Sequence, residues 1–183
     1  MISLKVTKAT LKKNDRLEKL QMLLAQDPYL NDSQLAKMLK VSVPSIRNYR
    51  GQLGIKEVRE RIRDTVRALA PEDIVGTITD LKLNKEGTAR FMTTSDMVFK
   101  KTNIVRGQYI YSFAESVAIA VTDSEASLVG VANIKYKEPV YANELLIAKA
   151  QVNQIRLNNY FVWVFVYRND KEIFRSKFIL VSV

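Results

Sequence analysis

From Gln108 to Val121 the chain is apolar at nearly every position, and this stretch sets what the rest can fold into. The polar exceptions Gln108, Ser112 and Glu115 stand at i, i+4 and i+7, a single narrow stripe on an α-helix. A helix apolar almost all round has to be buried, and this one is too short to span a bilayer. The remainder of its unit must therefore wrap it. Gly107 stands at the mouth, where the first-turn N–H groups lack intrahelical partners and favour an anion or a carbonyl oxygen. Arg106 adds a planar, permanently charged fork suited to carboxylate or phosphate. On these residues alone the stretch also reads as an ordinary core helix with a packing glycine and a surface arginine.

The chain has neither cysteine nor histidine. That excludes disulfides, thiolate and imidazole metal sites, and Ser-His or Cys-His nucleophile pairs, and it fits a reducing cytoplasm. No apolar run reaches membrane-spanning length. The net charge of +10 is lopsided. Through Pro71 there are fifteen basic against seven acidic residues, a balance of +8, and beyond it fourteen against twelve, only +2. One basic and one nearly neutral part suggest a module for a polyanion joined to a module for something else.

The basic part reads as three short helices. Asn14 or Asp15 can cap the first, with Leu17, Leu20 and Leu24 on one face and Asp27-Pro28 as its stop. Asn31 or Asp32 starts a second through Leu35, Ala36 and Leu39. After Lys40-Val41, Ser42 caps a third that buries Ile46, Tyr49 and Leu53 and turns Arg47, Asn48 and Arg50 outward. Leu35, Ala36, Leu39, Val41, Ile46 and Tyr49 lie at the offsets of a bacterial helix-turn-helix, which this segment resembles. Lys40 stands where that motif usually has glycine. By position, Ser42, Val43, Pro44, Arg47 and Asn48 approach base edges, while Arg50, Lys37 and Lys40 touch phosphates. Ile55, Val58, Ile62, Val66 and Leu69 continue at helical steps as an amphipathic connector, with Lys56, Arg59, Arg61, Arg63 and Arg67 on its cationic flank and Pro71 as its end.

Beyond Pro71 the period becomes strand-like. Ile74 to Leu83 and Thr88 to Thr94 flank a turn at Asn84-Gly87. Runs at Ser127–Val140, Glu144–Ile155, Tyr160–Arg168 and Glu172–Val183 follow the central helix, with turns at Asn143, Asn158-Asn159 and Asn169-Asp170. Tyr160 to Tyr167 is apolar on both faces, as expected of a covered or intersubunit strand. The expected organisation is α+β. A three-helix, wingless helix-turn-helix spans residues 1–54, an amphipathic linker helix 55–71, and a hot-dog domain, a curved antiparallel sheet around one helix, 72–183.

Phe99 to Gly107, followed by Phe-Ala-Glu-Ser-Val-Ala-Ile-Ala-Val, resembles acyl-CoA-binding hot-dog proteins. Taken with Ser45-Ile46-Arg47, Ile55 to Ile62 and Phe99-x-Lys-Thr-x-x-x-Arg-Gly107, the chain is similar along essentially its whole length to the FapR family of bacterial repressors of fatty acid and phospholipid biosynthesis genes. The resemblance implies a homodimer, formed through the hot-dog domain, that leaves double-stranded operator DNA when malonyl-CoA or malonyl-acyl-carrier protein binds. It implies no cofactor beyond that effector and no membrane partner. It places Arg106 on the malonyl carboxylate and Phe99 in a loop that moves on ligand entry. Lys100, Lys101, Lys135 and Lys137 are candidates for nucleotide phosphates. Glu115 is a departure, since FapR-type proteins usually carry asparagine there, and an ionised carboxylate only accepts hydrogen bonds. That opens two alternatives: a regulator of a different acyl-CoA, or an acyl-CoA thioesterase using Glu115 as base or nucleophile.

Overall fold

The computed structural model describes residues 8–70 and 72–183, with the side chains of 8–12 and 63 left aside. The chain divides into two units, the first running to Arg61 and the second from Ile62 to Val183.

Three helices make up most of the first unit: α1 (Lys8–Gln26), α2 (Asp32–Leu39) and α3 (Val43–Leu53). Helix α1 begins earlier than its sequence suggests, so Asn14 and Asp15 are interior residues rather than caps. It stops at Gln26, where the Asp27-Pro28 pair disfavours another helical residue. Asn31 caps α2 in a full capping box. Its side chain accepts from the Gln34 N–H at 2.9 Å, and Gln34 Oε1 accepts from the Asn31 N–H at 2.8 Å. Lys40 takes the left-handed conformation at φ 53°, the backbone state that a turn glycine would otherwise supply. Ser42 then caps α3 by accepting from the Ser45 N–H, with Pro44 in the first turn. Leu20, Leu24, Leu30, Leu35, Ala36, Ile46 and Tyr49 form the core, with Val43 and Ile55 packed at its edge.

The connector is shorter than its apolar spacing implies. Helix α4 covers only Val58–Thr65, and the division between the units falls inside it. The expected seam is split, because Ile55 packs on the helical core while Ile62 and Val66 are buried residues of the second unit. Pro71, the expected terminator, and the Arg63 side chain lie outside the described residues.

In the second unit, helix α5 (Gly107–Ala120) lies on a six-stranded antiparallel sheet of order β1-β2-β4-β5-β6-β3. The strands are β1 (Thr77–Lys82), β2 (Glu86–Met92), β3 (Ser127–Tyr136), β4 (Leu145–Arg156), β5 (Asn159–Arg168) and β6 (Lys171–Ser182). The register puts Gly87 opposite Ala150 and Ala89 opposite Ala148 on the inner face, and these small residues let the helix end approach. A Cβ on Gly87 would come within 2.7 Å of Val121 Cγ1. Phe113, Ala114, Val117 and Ala118 fill the space above them, all fully buried or nearly so.

Strand β5 sits inside the sheet, so its two apolar faces have separate covers. Val162, Val164 and Val166 are buried facing α5. On the outer face Lys177 Nζ stands 4.6 Å from the Trp163 ring centre and Lys149 Nζ 5.3 Å from that of Tyr167. The turn into β5 is made by Leu157 and Asn158 rather than by Asn158-Asn159. Leu157 takes the positive φ of 51°, and Asn159 already pairs with Arg156. Among the described residues no helix is long and apolar enough to cross a membrane.

Candidate functional site

The N-terminal end of α5 borders a cavity of about 400 Å³, lined chiefly by Phe99, Ile104, Gly107, Ile110, Tyr136 and Val140. Two loops form its wall. Phe99 opens a tight turn, donating its N–H to Ile104 O at 2.8 Å and accepting from the Asn103 N–H at 2.9 Å, with Asn103 at φ 56°. Val105 then donates to Val140 O at 2.7 Å, and Ile104 bridges to Tyr141. The second loop is clamped from behind, where Arg168 Nη1 donates to both Glu144 oxygens (3.0 and 2.9 Å) and to Pro139 O (3.0 Å). Phe99, 54% exposed, thus stands on a pinned turn at the cavity rim.

Gly107 is required by Tyr136. The tyrosine hydroxyl donates to Gly107 O at 2.9 Å, and a Cβ at this position would meet that hydroxyl at 2.9 Å. Arg106 precedes the helix without capping it by its side chain. Its Nη2 donates to Asp96 O and to the Tyr109 hydroxyl, both at 2.8 Å, and its guanidinium lies 5.0 Å from the Tyr109 ring centre. It is beside the cavity in sequence but not among the lining residues, and its acceptors are neutral. The fork therefore holds its positive charge with no ion-pair partner among the described residues.

Glu115 lies two turns further along α5, half-buried. Burial pushes its carboxyl above the ordinary range, while a hydrogen bond from Tyr111 pulls it back. The Tyr111 hydroxyl is raised in turn by burial and by the neighbouring carboxylate. Glu115 is paired with Tyr111, not with Arg106, and does not line the cavity. Of the four expected ligand residues the structure brings Phe99 and Gly107 into one wall, sets Arg106 at its flank, and leaves Glu115 apart. Sequence reasoning missed Tyr136, whose only signal was its place in the β3 alternation. Of the lysines, Lys137 lines the cavity but is paired with Glu172 at 2.6 Å, whereas Lys100, Lys101 and Lys135 are exposed.

On α3, Ser42, Pro44, Arg47 and Asn48 are exposed and Val43 is half-buried. Ser42 is committed to its cap, and Asn48 Oδ1 accepts from Gln52. Arg50 corrects the outward reading. It is 6% exposed, donates to both Asp32 oxygens at 2.8 and 3.0 Å and to Ile55 O at 3.2 Å, and its charge is strengthened chiefly by the Asp32 bond. Arg61, expected on a free cationic face, is half-buried and donates to Leu30 O at 2.8 Å, with burial lowering its pKa. Arg67 pairs with Asp123 at 3.0 Å.

A buried helix held in an antiparallel sheet, with a cavity at the helix mouth, defines a hot-dog-like unit preceded by a helical one. Solved structures agree on that fold. A sigma28-regulated virulence protein of Campylobacter jejuni matches with TM-score 0.63 and 22% identity, covering 68% of this chain and 89% of its own. The E. coli PaaI protein of the phenylacetic acid degradation operon matches with TM-score 0.53 and 15% identity, covering 57% and 80%. Relatives by sequence go further. Transcription factor FapR of Thermoanaerobacter sp. (strain X514) is 49% identical over 93% of this chain and 89% of its own, and that of Listeria innocua 35% identical over 91% and 93%. No protein-family model matches. The chain belongs to the FapR family of transcription factors.

Proposed function

We propose that the protein is a ligand-responsive repressor of fatty acid and phospholipid biosynthesis genes. It binds operator DNA through α2 and α3, as a helix-turn-helix, and releases it when malonyl-CoA or malonyl-acyl-carrier protein occupies the cavity at the mouth of α5. The observation that carries this is a cationic fork without a carboxylate partner, set beside a preformed cavity, in a chain whose relatives are transcription factors. An acidic acyl group supplies the missing counter-charge. Arg47 and Asn48 are left to read base edges, with Lys37 and Lys40 on phosphates. Arg50 drops out of that set.

The active form in this reading is a homodimer. Strand β3 is paired only with β6 and presents Leu128, Val131 and Ile134 along an open edge, an arrangement that a second copy would complete. Release requires that the effector bind the DNA-incompetent arrangement more tightly, since equal affinity for both shifts nothing. The segment around α4, where the units join in sequence, is the part that switches.

A fluorescence titration on an operator duplex tests this, with malonyl-CoA against acetyl-CoA and free CoA. Release by malonyl-CoA at far lower concentration is the expected outcome. Release by acetyl-CoA alone would point to a different acyl-CoA, and no release by any of them defeats the regulatory reading. The thioesterase alternative needs Glu115 at the reacting carbonyl. Steady thiol release from an acyl-CoA, lost in Glu115→Gln, would revive it.

A further inference from the structure

Six buried Ser and Thr residues occur in the second unit, and five of them have partners. Thr93 donates to Tyr141 O, Ser116 accepts from the Val75 N–H, and Thr122, Ser124 and Ser127 bond one another. Ser176 is the exception. It is 2% exposed and its Oγ has no hydrogen-bond partner among the described residues. A buried hydroxyl left unpaired costs stability that an alanine would not.

The register fixes where this hydroxyl points. Ser176 pairs with Ile134 and Val164 and shares the inner face with Phe174 and Phe178, the side of the sheet that meets α5. Phe174 carries the ring of Tyr136 at 4.9 Å, and Phe178 carries the ring of Tyr111 at 5.8 Å. Those tyrosines bond Gly107 and Glu115, two turns apart on α5. Ser176 therefore lies along the line from the helix mouth to Glu115. Tyr136 borders the cavity at one end of that line. Its ring is 45% exposed and its hydroxyl makes a single bond, so it is the movable wall between the cavity and Ser176.

We propose that Ser176 is a specificity-determining contact for the effector, its hydroxyl pairing with an oxygen carried on the acyl group beyond the thioester carbonyl. The site thereby selects oxygen-bearing acyl groups over plain hydrocarbon ones of equal length. A buried polar group that only the right ligand satisfies discriminates strongly against an analogue lacking that atom. This rests on the reading that an acyl-CoA enters at the mouth of α5.

The test is calorimetric titration of full-length wild type and Ser176→Ala with malonyl-CoA and with propionyl-CoA, which has a methyl group in place of the carboxylate. Ser176→Ala is expected to weaken malonyl-CoA about tenfold, ~1.4 kcal/mol, to leave propionyl-CoA within about twofold, and to melt no lower than wild type. Unchanged binding of both thioesters overturns the assignment and makes Ser176 a packing residue, as does an equal loss for both. Wild type that binds neither thioester overturns the function proposed above and this inference with it. Wild type that binds malonyl-CoA beside an unimpaired Ser176→Ala overturns only the inference.

Discussion

Arg50 of the helical unit and Arg106 of the sheet unit are both withdrawn from bulk solvent, and the two units satisfy them in opposite ways. Arg50 is locked bidentately on Asp32, a carboxylate that itself keeps little exposure. Arg106 has only carbonyl and phenol oxygens, which orient a guanidinium without neutralising it. A paired charge is structural, because its field is spent inside the fold. A charge held by neutral acceptors still attracts an anion. The difference separates a residue that builds its unit from one that is available to a ligand.

The sharpest way to break this contrast is Asp32→Ala. Leaving Arg50 buried and unpaired is expected to cost about 3–5 kcal/mol. Hydrogen exchange on the full chain should show lost protection in α2 and α3 alone, with the sheet unit unaffected. Arg106→Ala should do the reverse. It leaves the sheet unit folded and weakens malonyl-CoA by about 1.5–3 kcal/mol, the worth of hydrogen bonds to a charged group, as read in the operator-release titration. Arg47→Ala distinguishes base reading from general attraction, with a loss of roughly 1–3 kcal/mol on the cognate duplex and little on a random one. Equal loss on both duplexes would contradict base reading by α3.

The smallest effect concerns Glu115. Its folded carboxyl pKa is raised, so its favourable contribution is complete below the ordinary carboxylate range and is lost as pH rises through the folded value. At neutral pH the ionised group is a burden. Glu115→Gln should therefore melt slightly higher than wild type at pH 7, and the gap should close as the buffer is made acidic. A gap that widens in acid would mean that the carboxylate is held by a cation rather than merely buried.

Much of the fold is legible in the residues. The all-apolar run from Tyr109 onward could only be a buried helix, and the Asn-containing turns at 143 and 169 adopt the positive φ that asparagine tolerates. The candidate site is less legible, because its wall comes from loops joined by backbone bonds, such as Val105 to Val140, that no local pattern announces. Arg50 is instructive. It stands four residues after Ile46, on the inner face, so helical spacing already places it there, and the buried charge calls for a carboxylate such as Asp32 once Asn31 has taken the cap. The connector misled for the opposite reason. Its apolar spacing is real, but its residues serve two cores, and helical periodicity carries no information about which core each one joins.

Trp163, under the Lys177 ammonium on the outer face of the sheet, is the sole indole in the sequence. Its emission therefore arises from one known place, on the opposite side of β5 from the face that packs on α5. Lifting the lysine off the ring would alter that emission without any ligand touching it. An optical change on adding an acyl-CoA would thus report strain transmitted through the sheet to its far surface, and a silent indole would confine the response to the helix side.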